Sequence, residues 1–216
     1  MKLTCLVQHS FLLLTISFGL ALPLAAQSKT DFLNSKDKKA TWLGIDYSEL
    51  RIFGDSEADA NKIKDDYLGA INDLVINEPD KYFVAKAFQV AKLEFDLTEI
   101  TKINKMINPD SLIVLKSSNL QRLTSEMVQA KVSAYDLAGK SGYGILFMVD
   151  EFNKSKPQAS MYVVVIDMGS KKVLIAKRLA GEAAGFGFRN YWARPVYEVL
   201  KTVQKPEYDK WKSGKS

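Results

Sequence analysis

The chain of 216 residues has one cysteine and one histidine, Cys5 and His9, both within its first ten residues. Charge is almost as scarce at that end, since Lys2 is the only charged side chain before Lys29. The run Phe11–Ala26, FLLLTISFGLALPLAA, is apolar, closes on small residues and is followed at once by Gln27-Ser28-Lys29-Thr30-Asp31. A charged start, an apolar centre and a small-residue exit are the parts of a secretory signal peptide. The apolar centre before Pro23 is about 12 residues, against the roughly 20 that a spanning helix needs, and Pro23 opposes a continuous helix. Residues 1–26 therefore read as a signal peptide cut after Ala26, and the protein is expected in the periplasm or outside the cell.

Cleavage at that point removes both Cys5 and His9. Disulfides, a Cys nucleophile, a Ser-His-Asp triad and a His/Cys zinc site are then excluded, so stability has to come from a packed core. Bacterial lipidation needs a Cys just after the apolar run, and Cys5 precedes it. The chain carries 30 Lys+Arg against 25 Asp+Glu, net +5, and loss of Lys2 lowers this by one. The charges are interspersed rather than gathered into a stripe, which argues against nucleic acid. No repeat and no low-complexity segment is present.

The residue pattern divides the remainder into a polar linker (27–39), a single domain (40–204) and a Lys-rich tail (205–216). Thr41, Leu43, Ile45 and Tyr47 alternate as in a strand. Ile63, Tyr67, Ala70, Ile71 and Leu74 recur at helical spacing, and Pro79 ends that helix. A short helix from Asp80 to Ala91, a strand 92–97, a helix 99–107 and a helix of about 119–137 follow. Leu112–Leu115 fits either strand or helix. Tyr143–Phe152, Met161–Asp167 and Lys172–Ala180 are strands, the last two joined by Gly169-Ser170-Lys171 and so antiparallel. A final helix covers Asn190–Val203. The order predicts an α/β (α+β) fold, a mixed sheet with a C-terminal antiparallel meander and helices on one or both faces.

The segment Gly181–Arg194, GEAAGFGFRNYWAR, is the most unusual in composition. Glycines before a helix allow backbone N–H groups to approach a ligand, and a helix start favours an anion. Gly181, Gly185, Gly187, Arg189, Asn190, Trp192 and Arg194 are the candidate ligand-binding residues, for a small anionic or aromatic ligand. The P-loop pattern fails at Gly187-Phe188-Arg189, and the dinucleotide fingerprint fails at Asn190. No cofactor is expected. The competing reading is a close-packed connector. Asp46, Asp150 and Asp167 fall at or in strands and are the candidate metal or acid–base residues, though Asp at a strand end is commonly a turn former. Ser35-x-x-Lys38 matches a serine–lysine hydrolase pattern but falls in the linker. The tail sets Tyr208 and Trp211 among lysines, as in peripheral contact with anionic lipid; Glu207 and Asp209 interrupt it, and a solvated tail is expected.

VVVIDMGSKKVLIAKRLAGEAAGFGFRNYW, which closes the domain, resembles uncharacterised secreted proteins of Bacteroidota. More distantly, the pairing of Met161–Asp167 with Val173–Ala180 is similar to periplasmic envelope-assembly domains of the CsgG-like and TolB N-terminal-like kinds. The chain departs from the CsgG-like proteins in lacking the lipobox Cys. The resemblance implies an envelope protein but brings no assigned site residues. Three readings stand: a non-enzymatic envelope protein that binds a partner or ligand, an exported carboxylate- or metal-dependent hydrolase of a glycan or phosphate ester, and an outer-membrane assembly accessory.

Overall fold

The structure, a computed structural model, describes residues 27–119 and 123–215. The expected signal peptide 1–26, with Cys5 and His9, lies outside the described residues, as do positions 120–122 of the expected helix 119–137. Among the described residues no helix is long and apolar enough to cross a membrane.

The fold is α/β, built on a seven-stranded mixed sheet. β1 (Lys39–Asp46) and β2 (Arg51–Phe53) lie end to end along one side of β5 (Tyr143–Asn153), both parallel to it. β3 (Lys92–Phe95) and β4 (Ile113–Val114) flank them, again in parallel. On its other side β5 continues as a meander into β6 (Gln158–Asp167) and β7 (Lys172–Glu182), each antiparallel to its neighbour. The undecided run 112–115 thus resolves as a strand. β2 was not expected, since three residues are too few to show a period.

The helices are α1 (Lys29–Asn34), α2 (Ala60–Lys62, Ile63–Tyr67 and Leu68–Asn77, continuous with a π-turn in the middle), α3 (Val84–Ala87), α4 (Thr98–Lys105), α5 (Ser125–Ala134), α6 (Phe188–Thr202) and α7 (Tyr208–Lys212). Strand alternation sorts the core into two layers. Ile145, Phe147 and Val149 of β5 face a layer that includes Ile71, Ala87, Trp192 and Val199. Leu146 and Met148 face the opposite layer, with Ile100, Val128 and Val132. All eleven residues of β5 are buried, as expected of a strand covered on both sides.

β3 pairs with β1 only as far as Trp42, so the backbone groups of Ile45 and, just past the strand, Tyr47 have no β3 partner. Side-chain amides replace the missing ladder. Asn72 accepts from the Ile45 N–H at 2.7 Å and donates to the Ile45 carbonyl at 3.1 Å, and Asn104 donates to the same carbonyl at 2.8 Å and accepts from Tyr47 N–H at 2.8 Å. Buried backbone groups need such partners.

Both ends of the domain differ from expectation. The supposed linker 27–39 forms α1 and starts β1, with Phe32 fully buried and Leu33 nearly so. The supposed solvated tail forms α7, which buries Tyr208 and Trp211. Lys38 Nζ lies 5.4 Å from the ring centres of both Phe32 and Tyr208 and donates to the Ser35 carbonyl, not its hydroxyl. Each segment has too few apolar residues to look like core alone; each buries them against the other.

A candidate functional site at the start of the last helix

Residues 183–187 carry the chain from β7 into α6. Gly181 owes its identity to packing: a Cβ there would stand 2.4 Å from the Pro195 carbonyl oxygen and 2.8 Å from its Cα. Its role is the close approach of β7 to α6, which corrects its assignment as a ligand residue. Gly185 and Gly187 have φ of +124° and +75°, which side-chain-bearing residues rarely adopt. Gly187 is the N-cap of α6, and among the described residues no side chain caps the helix. The positive end of the helix dipole is therefore presented at this loop.

The first turns of α6 rest on stacked rings. Phe188 lies on Tyr67, with ring centres 4.9 Å apart, and Trp192 lies flat on Phe152 at 4.2 Å. Tyr191 meets the Trp192 indole edge-on at 5.0 Å. Phe188, Tyr191 and Trp192, with Gly185 and Gly187, line a cleft of about 290 Å³. Its far wall is Asp55, from the turn after β2, and Lys154, at the tip of the β5–β6 hairpin. These two form an ion pair at 2.8 Å, with the lysine half exposed. The hairpin tip is anchored by Lys154 N–H donating to the Phe53 carbonyl at 2.8 Å. The cleft thus sets an aromatic floor beside a helix N-terminus and an ammonium group. Aromatic stacking, cation–π contact and anion binding are the interactions it can offer.

The structure gathers part of the expected set. Gly185, Gly187 and Trp192 line the cleft. Arg189 and Asn190 are exposed at the helix start, with Arg189 Nε donating to Asn190 Oδ1 at 3.3 Å, and neither lines it. Arg194 points elsewhere, paired with Glu198 at 2.5 Å and lying over the Tyr197 ring. Phe186 protrudes beyond the cleft, 94% exposed. Asp55 and Lys154 were missed. They are 99 positions apart and sit in ordinary turn sequences, so only the fold joins them.

The three candidate metal carboxylates do not converge. Asp46 stands beside Met148 near the middle of β5, whereas Asp167 stands beside Tyr143 at its start. Five residues of strand separate those positions, about 17 Å. Each acid has its own partners. Asp46 accepts from the Tyr135 hydroxyl at 2.5 Å and Ser48 N–H at 2.7 Å. Asp167 organises the β6–β7 turn through Gly169 N–H and the Ser170 hydroxyl. Asp150 pairs with Arg178 through two contacts of 3.2 Å and accepts from Leu123 N–H. Burial pushes the Asp150 pKa up, against the pull of Arg178. Burial, then the Asp46 charge, pushes the Tyr135 phenol far above the usual tyrosine range. Among the described residues no group of three His, Cys, Asp or Glu side chains is placed to hold a metal ion. The metal assignment of Asp46, Asp150 and Asp167 is corrected accordingly.

The chain matches no protein-family model and no curated protein sequence.

Proposed function

We propose that the protein is an exported binding protein of the cell envelope, without catalytic activity of its own, which takes a small anionic aromatic ligand, or a partner's side chain of that chemistry, in the cleft at the start of α6. The observation that carries this reading is the juxtaposition in one cleft of an aromatic floor (Phe188, Tyr191, Trp192), the uncapped α6 N-terminus at Gly187, and Lys154. A flat ring would lie against the floor, and a carboxylate on it would face the helix start and the ammonium group. Asp55 already pairs with Lys154, so the ligand's charge would compete for that ammonium. Export rests on the sequence of residues 1–26.

Trp192 supplies the readout. Titration with an aromatic carboxylate, 4-hydroxybenzoate, should change the tryptophan emission saturably. Lys154→Met should weaken binding several-fold, and Trp192→Phe should remove most of the signal. No saturable change in emission and no shift in melting temperature would refute the proposal. Release of product from generic glycan or phosphate-ester substrates would favour the hydrolase instead.

A further inference from the structure

β5 carries two consecutive acids, Asp150-Glu151, inside an otherwise apolar stretch. Its pairing with β6 shifts at that point: Val149 stands opposite Met161 and Glu151 opposite Ser160, leaving Asp150 as an extra residue. A bulge of this kind re-aims the side chains around it. Phe152 returns to the layer of Phe147 and Val149, where it meets Trp192. Asp150 and Glu151 both reach the guanidinium of Arg178 on β7.

Beside this cluster lies a cavity of about 450 Å³ bounded mainly by polar side chains. It is distinct from the aromatic cleft. The β5–β6 hairpin separates them, Lys154 lining one and Asn153 and Ser155 the other. Its walls are braced from behind. Asp150, fully buried, holds Arg178 in place with both carboxylate oxygens. Glu151 accepts from Asn153 Nδ2 at 2.9 Å, and Asn153 Oδ1 accepts from Lys156 N–H at 2.9 Å. Ser160 is only 1% exposed and borders the cavity.

The charges at the cavity balance, Asp150 and Glu151 against Arg178 and Lys156, so no net field selects an anion or a cation. Acceptors (Glu151), donors (Arg178, Lys156) and groups that do both (Asn153, Gln158, Ser160) line the same space. A hydroxyl, at once donor and acceptor, suits such a wall at every point. The volume falls in the range of small-molecule sites, about 300–1,000 Å³. We infer that this cavity is a second binding site, for a neutral hydroxyl-rich ligand of the saccharide class, held between Arg178, Glu151, Asn153 and Ser160.

The test is an amide chemical-shift titration of the purified full chain with maltose, cellobiose and N,N′-diacetylchitobiose, with inorganic phosphate and calcium chloride as ionic comparators. At least one saccharide should shift the amides of Asn153, Gln158, Ser160 and Arg178 saturably. Gln158→Ala and Glu151→Gln should each weaken binding roughly five-fold, the value of one hydrogen bond. Gln158 is only partly buried, so its variant keeps the test valid should Glu151→Gln fail to fold. Absence of any saccharide response overturns the inference, as does a stronger response to phosphate or calcium. Saccharide shifts confined to Phe188, Tyr191 and Trp192 overturn it too. Failure of 4-hydroxybenzoate to bind the aromatic cleft leaves it standing.

Discussion

The ring of Phe152 lies on the indole of Trp192 with centres 4.2 Å apart and planes 3° from parallel. This contact joins the end of β5 to the first turns of α6, and so sets the floor of the aromatic cleft against the rest of the sheet. Phe152 is 1% exposed and Trp192 2%. Phe152→Ala should cost about 3–5 kcal/mol, the range for deleting a buried aromatic. Urea denaturation followed by far-UV circular dichroism measures it. Trp192→Phe, which keeps a ring on Phe152, should cost much less.

Two glycines of the same segment should respond differently. Gly181→Ala places a methyl group against the Pro195 backbone and forces β7 and α6 apart. It should destabilise by about 1–3 kcal/mol or more, as overpacking does. At Gly187 nothing stands within 4 Å of a Cβ, so Gly187→Ala meets only the strain of φ +75°, about 1–2 kcal/mol. Thermal melts of the two variants should therefore rank Gly181→Ala as the less stable. The reverse order would mean that β7 does not approach α6 so closely.

Arg178 compensates a fully buried Asp150. Arg178→Met should destabilise by about 3–5 kcal/mol at neutral pH, because it leaves the carboxylate unpaired. Addition of Asp150→Asn should recover part of that loss. The pH dependence has a definite sign. Burial raises the Asp150 pKa above its ordinary 3.8, so the folded state binds the proton more tightly than the unfolded chain. This contribution to stability is present below pH 3.8 and is lost as pH rises through the folded-state pKa. Asp150→Asn should flatten that part of the stability–pH profile, as read by denaturant midpoints at successive pH values.

Tyr135 donates its hydroxyl proton to buried Asp46. Tyr135→Phe should cost about 1–3 kcal/mol at neutral pH by removing a partner from that carboxylate. The Tyr135 pKa is raised, and burial also lifts Tyr208, to about 12. Phenols that stay protonated in the fold but ionise in the unfolded chain add stability that declines as pH climbs above about 10. Absorbance of phenolate near pH 10 should rise by less than the nine tyrosines of the chain would give when unfolded.

The two terminal segments should prove interdependent. Phe32→Ala should destabilise by about 3–5 kcal/mol, and removal of 208–215 should lower the melting temperature rather than leave it unchanged. Tyr208 reaches back to the Leu33 carbonyl at 3.5 Å, so the loss of either segment uncovers the other. An unaltered melt on truncation would restore the solvated tail.

The order of the larger elements was legible in the residues. The strands of the meander and the long helices carry enough apolar residues to display their periods, and burial follows period. β5, β6, β7, α2 and α6 were readable for that reason, and with them the α/β class. The absence of Cys and His after position 9 was also a property of the sequence alone, and it limits the chemistry whatever the fold. Long-range placement was not legible. Phe32 and Leu33 look like incidental apolar residues in a polar run until α7 covers them. Three aspartates at strand ends look alike until strand direction separates Asp167 from Asp46 by the length of half a strand. Within the segment 181–194 the sequence marked the loop, but only tertiary packing divided it. It gave Gly181 to Pro195, Arg194 to Glu198, and Gly187 and Trp192 to a cleft completed by Asp55 and Lys154. Local pattern records which face of an element is apolar; which elements meet is decided by the summed packing of the whole chain.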